Sequence, residues 1–348
     1  MRVFTGPNLA LCVARAGGLG FIGPGATPSS TAEDLASAVQ ILEGAGPLPL
    51  VQSISGSGGG GEGEGKGEGV KLLPLGVGFQ MWNGDLAAAA EAVGRYQPAA
   101  AWLFAPREGQ TETERWISGL RSASPATKIW LQIGTLTEAL EAVRGAVRPD
   151  VLVVQGAEAG GHGRTKDGVG FLTLLPEIAD AMKGMEGGEG IPLIATGGII
   201  DGRGVVAALG VGAAGVAMGT RFLASEEARI KKGYQDEVVR AGDGAVNTVR
   251  THLYNHMRGT FGWPEQWAPR TIVNQSWEDM RAGVEFKELK RRHDESLKEG
   301  DKAWGPQGRT ATYAGAGIGL VRDVKTAGDI VAEVRDDARV IIQALACV

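Results

Sequence analysis

The chain has 348 residues, 43% hydrophobic and 22% charged, which suffices for a barrel-sized core with an appendage or for two domains. Its 35 Lys and Arg against 40 Asp and Glu give a net charge of -5 without a basic block, so we expect no nucleic-acid partner. No apolar run reaches membrane-spanning length, no signal-peptide pattern opens the chain, and only Cys12 and Cys347 are present, so we expect an intracellular, cytoplasmic protein without a membrane anchor.

Apolar runs of strand length alternate with segments of helical periodicity as far as Met218. Thr31 and Thr137 are expected to begin two of the helices. The predicted helices are 8–16, 32–42, 85–96, 112–123, 138–147, 171–182 and 202–209. The predicted strands are 19–23, 72–79, 99–104, 128–133, 151–155, 191–195 and 215–218.

This alternation predicts an α/β fold with a parallel sheet, either an open doubly wound sheet or a closed (β/α)8 TIM barrel. The even repeat and the glycine-rich turns after the last two strands favour the barrel. A turn and the first helix follow Met1 almost at once, so the first barrel strand is missing from the sequence. We therefore expect unpaired edges at 19–23 and 215–218.

Two glycine patterns resemble nucleotide-binding motifs but lack the required context. Residues 56–69 contain the spacing G-x-x-x-x-G-K, yet Gly67 replaces the Ser or Thr of a P-loop, so this segment is expected to be a disordered insertion. Residues 18–23 read GLGFIG, but these glycines lie within an apolar run. The pattern therefore indicates part of a strand and not the turn of a dinucleotide site.

The segment 151–164, VLVVQGAEAGGHGR, contains the first candidate for chemistry. An apolar strand leads into a glycine-rich turn with His162 flanked by Gly160, Gly161 and Gly163. Such glycines let the backbone approach a ligand closely, and an imidazole at the end of a parallel strand is a candidate acid or base. The alternative is a histidine that only caps a turn.

The last two predicted strands end in the turns Gly197-Gly198 and Gly219-Thr220. Backbone amides of these four residues can hold a phosphate without a cationic side chain. The alternative is that the glycines only permit tight turns.

Beyond residue 225 the pattern changes to charged, tryptophan-containing segments. We expect a barrel at 1–225, a helical cap subdomain at 226–312, and a glycine-rich loop with a final barrel helix at 313–348. The cap is predicted to contain helices at 225–240, 245–260 and 286–298, with its tryptophans as packing anchors. His252 and His256 lie four residues apart on one of these helices, but no third ligand is nearby, so no metal is expected.

Three stretches together resemble one enzyme family: QGAEAGGHGR at 155–164, PLIATGGIIDGRGVVAALGVGAAGVAMGTRFLAS at 192–225, and AGAGIGLV at 314–321. They are similar to the nitronate monooxygenases, formerly called 2-nitropropane dioxygenases, and most closely to the fungal members. The resemblance implies a TIM barrel with noncovalent FMN that oxidises alkyl nitronates by O2 to carbonyl compounds and nitrite. The expected partners are therefore a small nitronate or nitroalkane and O2.

The resemblance also implies roles for individual residues. By position, His162 corresponds to the family's catalytic base, Gln132 to the side chain near the flavin pyrimidine edge, and Gly161 to a residue that lines the cofactor. The family's FMN phosphate turns correspond to Gly197, Gly198, Gly219 and Thr220.

Met1 corresponds to a methionine whose backbone touches the flavin in the family. The strand and the Ala-Pro that precede this methionine are absent here. We therefore expect a start further upstream in the native polypeptide.

Two other functions fit the same residues. The first is an FMN-dependent NAD(P)H enoyl-thioester reductase, which resembles this chain in its barrel and its glycine-histidine loop. The second is a non-catalytic or truncated barrel that binds only a phosphate ligand or nothing.

Overall fold

A computed structural model describes residues 4–25, 27–44 and 72–347. The glycine-rich segment 56–69 and Met1 lie outside the described residues.

The barrel segment begins with α1 (Pro7–Arg15), β1 (Phe21–Ile22), α2 (Pro28–Glu43), β2 (Leu73–Gln80), α3 (Leu86–Tyr96), β3 (Pro98–Phe104), α4 (Gln110–Ala123) and β4 (Lys128–Ile133). It continues with α5 (Leu136–Arg144), β5 (Val151–Gln155), β6 (Gly161–Arg164), α6 (Phe171–Met182), β7 (Leu193–Thr196), α7 (Gly202–Gly210), β8 (Gly215–Ala217) and α8 (Thr220–Leu223). The remainder comprises α9 (Lys232–Arg240), α10 (Gly244–Asn247), β9 (Thr248–Arg250), α11 (Leu253–Met257), β10 (Trp267–Ile272), α12 (Gln275–Arg281), α13 (Phe286–Ser296), two 3-10 turns (Leu297–Ala303 and Ala316–Leu320) and α14 (Ala327–Leu345).

Seven strands form one parallel sheet in the order β1-β2-β3-β4-β5-β7-β8. The sheet has helices between its strands and the strand order of a barrel, which confirms the predicted fold class. Within the described ranges no other strand pairs with β1 or β8, so these two strands are the edges of the sheet, as the sequence predicted.

The two faces of the barrel sheet carry different side chains because successive residues of a strand point to opposite sides. Ala101 and Leu103 of β3 belong to the core shared with the surrounding helices. Trp102 and Phe104 of the same strand belong to a second cluster, with Val153 of β5. This second cluster therefore fills the interior of the barrel.

In two helices the capping threonine lies earlier than predicted. Thr27, and not Thr31, caps α2, where Thr27 and Ser30 form a reciprocal capping box. The side chain of Thr135, and not Thr137, caps α5 by accepting a hydrogen bond from the amide of Glu138 at 3.2 Å. Both helices are therefore longer at their start than the sequence predicted.

The segment predicted as a helical cap also contains strands, so its helical interpretation was wrong in part. The predicted helix 245–260 is divided into α10, β9 and α11, and the predicted helix 225–240 begins only at α9. β10 pairs antiparallel with β6 on one side and with β9 on the other. This small antiparallel sheet holds His162, which the sequence placed in a loop.

The final helix packs against α7 and α1. A β-carbon at Gly202 would lie 2.4 Å from the amide nitrogen of Ala338, so glycine permits close approach of α7 and α14. None of the helices in the described ranges combines the length and the apolar character needed to cross a membrane.

Candidate active site

His162 lies in β6, opposite Pro269 of β10. Its carbonyl oxygen accepts a hydrogen bond from Nε2 of Gln155, the last residue of β5, at 3.2 Å. The short strand is thus tied to the end of a barrel strand, which positions the imidazole at the carboxyl end of the parallel sheet.

The side chain of Asn255 holds the imidazole at Nε2. Nε2 lies 3.2 Å from Oδ1 and 3.1 Å from Nδ2 of Asn255, which is itself buried. An imidazole that donates from Nε2 to Oδ1 keeps its lone pair on Nδ1. Among the described residues Nδ1 has no hydrogen-bond partner, so this nitrogen is the one left for a reactant.

Burial lowers the pKa of His162 well below its ordinary value of 6.5, and the positive charge of Arg250 acts in the same direction. The hydrogen bond with Asn255 opposes this shift. Because burial is the largest of these effects, His162 is neutral at neutral pH and can accept a proton.

Trp263 covers one face of the imidazole. The two rings stack with their centroids 3.6 Å apart and their planes 9° apart. The ring of Trp82 lies against that of Trp263, with centroids 4.8 Å apart. Arg107 donates a hydrogen bond to the carbonyl of Gly262, the residue before Trp263, at 2.8 Å. Trp263, interpreted from the sequence as a packing anchor, therefore packs on the candidate base itself.

Arg250 fixes the backbone around His162. Its two Nη atoms donate to the carbonyl oxygens of Ala157, Ala159, Gly161 and Ala268 at 2.5 to 3.2 Å. Charge-assisted hydrogen bonds of this kind are stronger than neutral ones. The glycine-rich turn before His162 is thus held in one conformation although its residues are small.

The turn after β7 has the backbone geometry of an anion site. Gly197 and Gly198 have φ values of 104° and 74°, in the region that favours glycine. At Gly219 an added β-carbon would meet no heavy atom within 4 Å. Within the described ranges the amides of these residues and of Thr220 donate no hydrogen bond, so they are available to a ligand.

The glycine-rich segment 313–320 joins the two turns to the histidine turn. The amide of Gly315 donates to Oγ1 of Thr220 at 3.0 Å, and the amide of Ala316 donates to the carbonyl of Glu158 at 2.8 Å. A β-carbon at Gly317 would lie 3.0 Å from the carbonyl of Gly198. The structure therefore brings these motifs, which are far apart in sequence, to one end of the barrel.

Gln132, at the end of β4, has an unused donor. Its Oε1 accepts from Nε1 of Trp102 at 3.2 Å, whereas its Nε2 is buried without a partner among the described residues. An orphaned buried donor is costly unless a ligand pairs with it. Gly161 has φ 67° and open space where a β-carbon would stand. Both residues fit a bound cofactor; Met1 lies outside the described residues.

His252 and His256 of the predicted cap lie next to each other. His252 and His256 stack with their centroids 5.8 Å apart. In the part of the chain that the structure describes, no group of three or more potential ligands is suitable for a metal ion.

Comparisons with known proteins identify the family. The family model for nitronate monooxygenase matches residues 120–337. Nitronate monooxygenase npaC of Metarhizium robertsii is 58% identical over 342 residues, covering 98% of this chain and 90% of that protein. The chain belongs to the nitronate monooxygenase family. It is therefore an oxidoreductase, as the sequence predicted.

Solved structures show the same fold for this nitronate monooxygenase family member. Nitroalkane oxidase from Streptomyces ansochromogenes has a TM-score of 0.69 at 21% identity, covering 99% of this chain and 94% of that chain. The enoyl reductase domain of MlnA from Bacillus amyloliquefaciens has a TM-score of 0.70 at 10% identity, also covering 99% and 94%. At these identities the likeness concerns the fold alone.

Proposed function

We propose that this nitronate monooxygenase family member uses FMN and O2 to oxidise alkyl nitronates, and nitroalkanes after deprotonation, to a carbonyl compound and nitrite. His162 is the catalytic base. The observation that carries the proposal is a neutral imidazole, fixed at Nε2 by Asn255, beside the glycine turns at the end of the barrel.

The glycine turns and Gln132 have the donors that FMN requires. Amides of Gly197, Gly198, Gly219 and Thr220 are oriented by the turns after two neighbouring strands and would bind the phosphate. The unpaired Nε2 of Gln132 would donate to an oxygen of the flavin pyrimidine edge. FMN supplies the redox step when bound, while the protein supplies position and electrostatics.

His162 would remove the proton from the carbon next to the nitro group. The C–H bond at this carbon is acidic because the nitro oxygens delocalise the negative charge that deprotonation leaves. Nδ1 takes the proton while Nε2 keeps its hydrogen bond to Oδ1 of Asn255. The imidazolium formed in this step then stabilises the anionic nitronate beside it.

The low pKa of His162 suits this role. A general base must be unprotonated at the working pH, and burial ensures that the imidazole is neutral there. Trp263 contributes because its indole keeps water from one face of the imidazole. A nitronate that is added already deprotonated does not need this proton transfer, so its oxidation depends less on His162.

The flavin spectrum of the purified protein tests the proposal. We expect a yellow protein with bound FMN whose flavin absorbance bleaches on anaerobic addition of ethyl nitronate and returns with O2, with release of nitrite. Protein that binds no FMN would contradict the cofactor assignment. Bleaching by NADH and reoxidation by an enoyl thioester, without reaction of the nitronate, would contradict the substrate assignment.

A further inference from the structure

A cavity of about 540 Å³ lies between the antiparallel sheet and the helices α11 to α13. This volume is within the range of pockets that bind small molecules. Thr165 and Ala268 line it, and Ala268 neighbours Pro269, the residue paired with His162. Because side chains alternate along a strand, the cavity lies on the face of the sheet opposite the imidazole of His162. It is therefore distinct from the candidate active site.

Flat rings form one side of this cavity. The imidazoles of His252 and His256 are nearly parallel, at 12°, with centroids 5.8 Å apart. Phe261 extends the column from His256 at 5.4 Å and 14°, and 63% of its surface is exposed. Phe286, which lines the cavity, is 45% exposed. Exposed stacked rings favour a flat partner, since aromatic rings attract each other beyond the area that they bury.

The remaining wall is mostly apolar, with Thr165 and Thr251 as its hydroxyl groups, and its formal charge is positive. The apolar residues are Leu253, Met280, Val284 and Leu289. Among the described residues that line the cavity, Arg250 carries the formal charge, and none of them is an Asp or Glu. Four of its five N–H donors bind carbonyls, and its Nε is buried without a partner within the described ranges. A guanidinium without a carboxylate partner, in a mostly apolar wall, favours an anion.

We propose that this cavity binds a flat aromatic carboxylate, with its ring against the His252–His256 column and its carboxylate towards Arg250. The proposal concerns a site separate from the nitronate-oxidising one. A ligand there would contact the same arginine that holds the backbone around His162.

Calorimetric titration of the FMN-loaded protein with 2-naphthoate tests this site, with 2-naphthamide as the neutral probe of the same shape. We expect saturable binding of the carboxylate and at least about tenfold weaker binding of the amide. Val284→Trp places an indole in the cavity and should weaken naphthoate binding at least about tenfold. The matched control is Val246→Trp, because Val246 is 71% exposed and does not line the cavity. Equal melting temperatures verify that both variants fold.

Should Val284→Trp fail to fold, Phe286→Ala replaces it, since removal of a half-exposed ring is tolerated better. Three results would overturn the proposal. The first is equal affinity of the protein for naphthoate and naphthamide. The second is equal affinity of the cavity variant and of Val246→Trp for naphthoate. The third is displacement of naphthoate by ethyl nitronate. The last result would mean that the probe binds at the end of the barrel instead.

Discussion

The parallel barrel sheet and the small antiparallel sheet differ in how they are stabilised and in what they contribute. Strands such as β2 and β5 are buried along nearly their whole length, and apolar side chains hold both of their faces. β6 has the sequence GHGR, and hydrogen bonds from Arg250 and Gln155 hold its backbone and the turn before it. The barrel sheet thus contributes backbone amides in the turns after β7 and β8. The antiparallel sheet contributes the titratable imidazole of His162.

This division separates two kinds of function. Substitutions in the turns after β7 and β8 should affect cofactor binding, because those turns present backbone groups. Substitutions around β6 should affect the protonation and orientation of His162 and leave the cofactor in place. The predictions below test whether the two sets of effects are separable.

The largest effect on cofactor binding is expected at the turn after β7. Gly198→Val places a side chain where a β-carbon would already lie 3.0 Å from Glu158, at a φ of 74°, so FMN affinity should fall by about 100-fold or more. The FMN dissociation constant from fluorescence titration measures this. Gly184→Val is the matched control, because Gly184 has a φ of 70° with no neighbour within 4 Å and precedes β7. An equal FMN affinity of the two variants would contradict a specific role of the turn after β7 in binding FMN.

A smaller effect, about tenfold on kcat for nitroethane, is expected for Asn255→Ala, since the imidazole loses one orienting hydrogen bond. That bond raises the pKa of His162 against burial, so its loss should move the acidic limb of the kcat/KM profile to lower pH. Asn255→Asp should move the limb to higher pH, because a carboxylate favours the imidazolium. Movement of both variants in one direction would contradict the hydrogen-bond assignment.

Trp263→Ala should reduce turnover by only a few-fold, because the indole touches the base without binding it through a polar atom. Burial is the main cause of the low pKa of His162, so exposure of the ring should return that pKa towards 6.5. Trp263→Phe retains a stacked ring and serves as the control. The pH profile of kcat/KM measures the shift; an unchanged acidic limb would show that Trp263 does not desolvate the imidazole.

The smallest effect on activity is expected at Asp279 of α12, which is not among the residues of the candidate active site. Hydrogen bonds from Gln275, Arg309 and Arg292 lower the pKa of this carboxyl to about 2. A lowered carboxyl pKa stabilises the fold above its ordinary value of 3.8, and this contribution is lost as the pH falls towards 2. Asp279→Asn should therefore lower the free energy of unfolding by about 2 kcal/mol at pH 7, and by less at pH 3, in urea titrations. An equal loss at both pH values would contradict this.

The barrel was predictable because its signals are local. β4 and β5 begin and end at the predicted residues, since an apolar run between turn residues defines each of them. β10 contains Pro269, which argues against a strand, and β6 has no apolar alternation, so neither strand was expected. Both form because they pair with each other.

The residues of the candidate site were predictable only where a local sequence motif marks them. Glycines on both sides singled out His162, whereas the role of Gln132 followed from the family resemblance alone. Asn255 lies 93 positions from His162 and belongs to no motif. Its contact, like those of Arg250 and Trp263, arises from tertiary packing that no local pattern records.

The ratio of two rates tests the role of His162 most directly. His162→Asn and the wild-type protein, matched for FMN content, are compared by initial O2 consumption with nitroethane and with preformed ethyl nitronate. A catalytic base predicts that kcat/KM for nitroethane falls by roughly 10² to 10⁴-fold while the loss with ethyl nitronate is much smaller. Equal losses with both substrates, or an unchanged rate with nitroethane, would contradict the account.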